Sequence, residues 1–145
     1  MATETAIHRV AGRDLQASIE EYAAQHTPDA LLKNGAAALK NQDFEKALRI
    51  FERLSKKGGR SFKIELGIVL AFNGLGRWEQ SIKTLRGMLG LGYDKEVMVR
   101  IGLSQGRLGL YDNALDTFDQ VIAGWPDAAD VWVFRSAPLG ILGRD

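Results

Sequence analysis

The sequence predicts an all-α fold: stacked antiparallel helix pairs preceded by one extra helix. Two observations carry this. A stripe of a large, a small and a large residue recurs as Phe44-x-x-Ala47-x-x-x-Phe51, Trp78-x-x-Ser81-x-x-x-Leu85 and Tyr111-x-x-Ala114-x-x-x-Phe118, at offsets of 34 and then 33 residues. Helical stripes at that period mark an array in which each pair buries its apolar face against the next. The second observation is punctuation, because capping residues or glycines bound each helical run.

Residues 1–27 form an N-terminal arm or capping helix. Within it Asp14 can cap a helix with Leu15, Ile19, Tyr22 and Ala23 on one side. The repeat domain covers 28–145, with repeats at about 28–61, 62–94 and 95–128 and a partial fourth at 129–145. Thr27-Pro28-Asp29 starts the first helix with a hydroxyl cap, a proline where its missing N–H costs nothing, and a carboxylate at the positive end of the dipole. That helix is expected to run to about Lys40. Asn41-Gln42-Asp43 turns the chain. The next helix, Phe44 to about Lys57, gathers Ala47, Leu48, Phe51 and Leu54 on one face and stops at Gly58-Gly59.

Ser61 caps the third helix, whose Ile64, Leu66, Ile68, Val69, Leu70 and Phe72 exceed what a single buried stripe requires. Gly74-Leu75-Gly76-Arg77 is a turn. The fourth helix is expected from Trp78 to about Leu91, weakened near its end by Gly87 and Gly90 at about 1 kcal/mol each relative to alanine. A fifth helix spans Asp94 to about Leu108, and Gly109 lies in the turn. The sixth runs from Tyr111 to Ala123 and is closed by Gly124-Trp125-Pro126. Trp132 sits near the start of the last helix, which Pro138 is expected to interrupt. Val131, Trp132, Val133, Phe134, Leu139, Ile141 and Leu142 leave that helix little polar surface. It is therefore expected to continue a longer repeat protein or to dock on another chain, including a second copy.

With 145 residues, 46% hydrophobic and 26% charged, the composition fits one ordinary globular domain. The sequence has no cysteine, which removes disulfides and thiolate chemistry and fits a reducing, cytoplasmic setting. Nineteen basic and eighteen acidic residues give a net charge of +1, too small a field to recruit nucleic acid or anionic lipid. MATETAIHRVAGRD lacks the apolar run of a signal peptide, and no stretch approaches the roughly 18 apolar residues of a membrane span. Charge is uneven along the chain. Lys40 to Lys63 holds eight basic and three acidic residues, whereas Leu110 to Asp145 holds two basic and six acidic.

No constellation for catalysis is present. His8 and His26 lack partners at metal-ligand spacing. The strings GLGRW and GRLGLY fall in helix turns and lack the G-x-x-x-x-G-K-[ST] pattern of a phosphate loop. Paired acids at Glu20-Glu21 and at Asp127 and Asp130 have no electrophilic partner. The cations Lys56, Lys57, Arg60 and Lys63 have only Phe62 nearby for stacking, which argues against a nucleic-acid site. Neither enzyme activity nor a cofactor is expected.

These residues resemble the tetratricopeptide repeat family, whose unit reads W-x2-L-G-x2-Y…A-x3-F…P. Repeat one supplies Leu31, Gly35, Ala38, Phe44, Ala47 and Phe51. The second supplies Ile68, Phe72, Gly76, Trp78 and Leu85, with Ser81 in place of the usual alanine and Glu65 in place of the opening aromatic. The third supplies Ile101, Gly102, Gly109, Tyr111, Ala114, Phe118 and Pro126. The resemblance implies a right-handed α-solenoid whose concave side, lined by the first helix of each pair, binds a protein or peptide.

Groove positions carried over from the family are Leu32, Lys33 and Ala36; Lys63, Leu66, Leu70 and Asn73; Glu96, Val99, Arg100, Leu103 and Arg107; and Val133 and Phe134. The carboxylate clamp of some family members is not expected, because Leu32, Ala36, Gly67 and Glu96 replace its polar or basic groups and only Arg100 fits. An apolar floor flanked by Lys33, Lys63, Arg100 and Arg107 suits an amphipathic helix or extended apolar segment carrying a few acids. Alternatively, the protein's own N-terminal segment covers Leu66, Leu70 and Leu103. The leading expectation is a non-catalytic scaffold or adaptor. The others are a dedicated chaperone masking an apolar segment of a secreted partner and a regulatory fragment of a larger multidomain enzyme.

Overall fold

Caps and glycine turns divide the chain into helices largely where the sequence places them. The computed structural model describes residues 15–21, 27–58 and 61–143. Expectations at His8, Asp14, Tyr22, Ala23, His26, Gly59, Arg60 and Arg144 lie outside those residues. Residues 15–21 are helical (α1). There follow α2 (Pro28–Lys40), α3 (Phe44–Gly58), α4 (Phe62–Gly74), α5 (Trp78–Gly87), α6 (Asp94–Arg107), α7 (Tyr111–Gly124) and α8 (Ala129–Ile141). The described residues contain no strand.

Thr27 Oγ1 accepts the Ala30 N–H at 3.2 Å, and Ser61 Oγ accepts the Ile64 N–H at 3.2 Å. Both hydroxyls thus satisfy amides that the first turn leaves without partners. Helix α5 stops at Gly87, short of the expected Leu91. Beyond it Gly90 and Gly92 take φ values of +92° and +97°, in the left-handed region that suits glycine. At the other end of the chain α8 continues through Pro138 instead of breaking there. Proline removes one backbone bond, and packing of α8 on α7 outweighs that single loss.

From α2 onward each helix packs on the next, and α2 also reaches α4 as α6 reaches α8, while α4 and α6 do not meet. No pair among α3, α5 and α7 meets. First helices meet at both ends of the array and second helices nowhere, which puts the first helices on the inner row of the curve. Ala47, Ser81 and Ala114 are each 0% exposed, so the short side chains sit where paired helices approach. The Phe51 ring lies between α2 and α4. A Cβ on Gly35 would come within 2.8 Å of it and one on Gly67 within 2.5 Å. Phe118 presses on Gly102 in the same way. Glu65, where an aromatic is usual, is buried and accepts a hydrogen bond from Ser55 Oγ at 2.9 Å. That bond offsets part of the cost of placing a carboxylate inside.

Candidate functional site

Two helix starts and one glycine turn build an open cleft on the inner row. Its volume is about 940 Å³, and α6 provides Glu96, Val99, Arg100 and Leu103. From α8 come Asp130 and Phe134, and Trp125 closes one side. The turn before α6 adds Gly90, Gly92 and Tyr93. Asp94 fixes this turn, its Oδ1 accepting the Gly90 N–H at 2.7 Å. Phe62 stacks on Tyr93 with ring centroids 4.0 Å apart, which holds the phenol ring at the cleft wall.

The cleft is apolar with sparse charge. Tyr93, Leu103 and Trp125 are exposed and available to a ligand, while Val99 and Phe134 are half-buried. Arg100 reaches Glu96 at 3.2 Å, and its Nε is buried without a hydrogen-bond partner. Lys95 and Asp130 complete the ionic lining. A smaller hollow of about 210 Å³ shares Leu103 and Phe134 with the cleft and extends past Arg107 to Ile141.

The structure thus brings Glu96, Val99, Arg100, Leu103 and Phe134 together. It does not gather the other groove positions into this cleft. Lys33, Ala36, Lys63 and Leu70 are exposed elsewhere on the inner row, and so is Val133 on α8. Leu32 and Leu66 are half-buried against the hydrophobic core. Asn73 is half-buried with Oδ1 lacking a hydrogen-bond partner. Arg107 lies 5.8 Å from the Trp78 ring centroid, so part of its charge is used within the fold. Gly67, read as a groove position, is instead buried under Phe51, where any side chain would collide with the ring. Leu70 and Leu103 are 36% and 41% exposed, so the described N-terminal residues do not cover them.

Tyr93, Trp125 and Asp130 were not among the expected groove residues. Tyr93 and Trp125 occupy connections between helices, which a pattern of helix positions does not index. The usable signal was an aromatic beside a glycine or proline turn. Among the described residues, no group of three or more His, Cys, Asp or Glu side chains could hold a metal ion. No helix there is long and apolar enough to cross a membrane.

Two family models, each described as tetratricopeptide repeat, match residues 32–92 and residues 96–128. The chain belongs to the tetratricopeptide repeat family. No curated protein sequence matches it significantly. Among solved structures, the first tetratricopeptide domain of human RPAP3 is 13% identical with a TM-score of 0.68, over 81% of this chain and 94% of that one. MamA AMB-1 is 22% identical with a TM-score of 0.67, over 94% and 78%. YrrB, described as a tetratricopeptide protein with an unusual peptide-binding site, is 17% identical with a TM-score of 0.66, over 90% and 74%. At these identities the likeness concerns the solenoid fold.

Proposed function

We propose that this tetratricopeptide repeat protein is a non-catalytic scaffold that binds a peptide or amphipathic helix on its inner row, anchored in the α6–α8 cleft. The observation that carries this reading is the convergence of Tyr93, Leu103, Trp125 and Phe134 around one open cleft of about 940 Å³. Exposed aromatics with a small number of placed charges are what a peptide anchor requires. The peptide-binding site described for YrrB supports the class of ligand. Glu96 beside Arg100 narrows the sequence-based expectation of an acidic partner, because Arg100, one of the two cations lining the cleft, already has a carboxylate. The apolar anchor therefore dominates, and a basic residue of the peptide can approach Asp130. The cysteine-free sequence suits a reducing, cytoplasmic setting.

The test is selection of peptides from a random display library on the immobilised protein, followed by titration against Leu103→Arg. Leu103 is exposed, so the variant keeps the fold and its melting curve serves as the control. Selected peptides are expected to carry an aromatic or large aliphatic anchor and to lose affinity at least tenfold, about 1.4 kcal/mol. Peptides that bind Leu103→Arg as well as the parent would remove the cleft as the site.

A further inference from the structure

A second groove lies at the opposite end of the solenoid, away from the proposed peptide cleft. It runs between α2 and α3, has a volume of about 730 Å³, and is floored by Leu31, Ala37 and Ile50. Lys46, Arg49 and Arg53 form its α3 wall, Asn34 and Asn41 its α2 wall, and Asp43 in the turn between them is its one carboxylate, so the three cations leave the groove net positive. Asn34, Ala37, Asn41, Lys46 and Arg49 are exposed. Short side chains on α2 permit close approach of another helix, and the cations opposite favour an acidic one.

The chain leading into α2 carries that chemistry. Residues 15–21, LQASIEE, contain two carboxylates and no cation. Leu15 and Ile19, one helical turn apart, are 63% and 52% exposed and form an apolar ridge with no cover. Six residues, 22–27, separate this helix from Pro28. Connections between antiparallel neighbours in helical domains run to about 2–8 residues, so the length allows α1 to fold back on α2.

We infer that α1 docks into the α2–α3 groove of its own chain, Leu15 and Ile19 on the apolar floor and its acids toward Lys46 and Arg49. The exposed position of α1 is then the undocked state of a reversible cap. Docking supplies the first pair with the neighbour that each later pair receives from the one before it.

The absence of native cysteine allows a single probe. A nitroxide on Ala17→Cys, on the side of α1 away from Leu15, is expected to broaden the amide signals of Ala37 and Ile50. Glu20→Lys should weaken that broadening, and Glu20→Lys combined with Lys46→Glu should restore it. Broadening at Leu70 and Leu103 instead would put α1 on the inner row and overturn the assignment. Equal broadening of the groove in isotope-enriched chain that carries no nitroxide, on adding nitroxide-bearing chain of natural isotope abundance, would make a second copy the occupant and also overturn it. No broadening at either place would leave the groove without this cap. None of these outcomes depends on the peptide cleft, because Leu103→Arg leaves the α2–α3 groove untouched.

Discussion

Ser81 is the residue at which this protein departs from its own repeat. Ala47 and Ala114 occupy the equivalent places, and all three are fully buried. The Ser81 hydroxyl has no hydrogen-bond partner there. A buried polar group left unpaired costs about 1–3 kcal/mol. Ser81→Ala is therefore expected to stabilise the chain by about 1 kcal/mol, a rise in Tm of about 3 °C for a domain of this size. An unchanged or lower Tm in a thermal melt would mean that the hydroxyl finds an acceptor, such as the Arg77 carbonyl one turn back. The opposite sign is expected at Gly67. The Phe51 ring fills the space a Cβ would need, so Gly67→Ala should destabilise by about 1–3 kcal/mol through overpacking, despite its gain in helix propensity. Chemical denaturation measures both, and a stabilised Gly67→Ala would show that Phe51 can leave its slot. The sequence made the position of Ser81 legible, since it breaks a pattern set by two alanines. Its unpaired hydroxyl was not legible, nor was the Ser55–Glu65 bond, because each depends on how two helices rotate against one another.

Among the elements, boundaries set by side-chain caps were readable and a boundary set by backbone conformation was not. Thr27 and Ser61 cap where the sequence places them, and the Phe44, Trp78 and Tyr111 starts follow from the repeat. The end of α5 was read too late because Met88, Leu89 and Leu91 prolong the apolar pattern after the backbone has left the helix at Gly87. This early exit creates the turn that carries Tyr93 into the cleft. Asp94 holds the turn through the Gly90 N–H, a bond strengthened by the carboxylate charge. Asp94→Ala should cost about 1–2 kcal/mol and, more diagnostically, raise amide exchange at Gly90 through Tyr93. It should also weaken selected peptides by increasing koff, since the wall at Tyr93 is no longer pre-organised. Unaltered exchange in that turn would mean that Phe62 stacking alone holds Tyr93.

Across the whole molecule, the core divides into clusters shared by successive helices. Phe51 belongs to the cluster of α2, α3 and α4, whereas Phe118 packs with Val121, Val131 and Phe134 at the far end. The stack is held by neighbouring contacts, since no helix of the first pair touches α6, α7 or α8. Stability in such an array is approximately a sum of terms within pairs and between adjacent ones. Phe118→Ala should remove about 3–5 kcal/mol, and the loss should be felt first where the ring packs. Native-state hydrogen exchange is then expected to show α6, α7 and α8 opening at lower free energy while α2 and α3 retain most of their protection. Phe51→Ala should reverse the order, exposing α2, α3 and α4 first and leaving the cleft at α6 and α8 formed. The two variants would thus differ in peptide binding far more than in overall stability: Phe118→Ala abolishes it well below its global Tm, and Phe51→Ala preserves it. Uniform loss of protection in either variant would mean that the solenoid unfolds as one cooperative body. In that case the cleft could not open independently of the α2–α3 end.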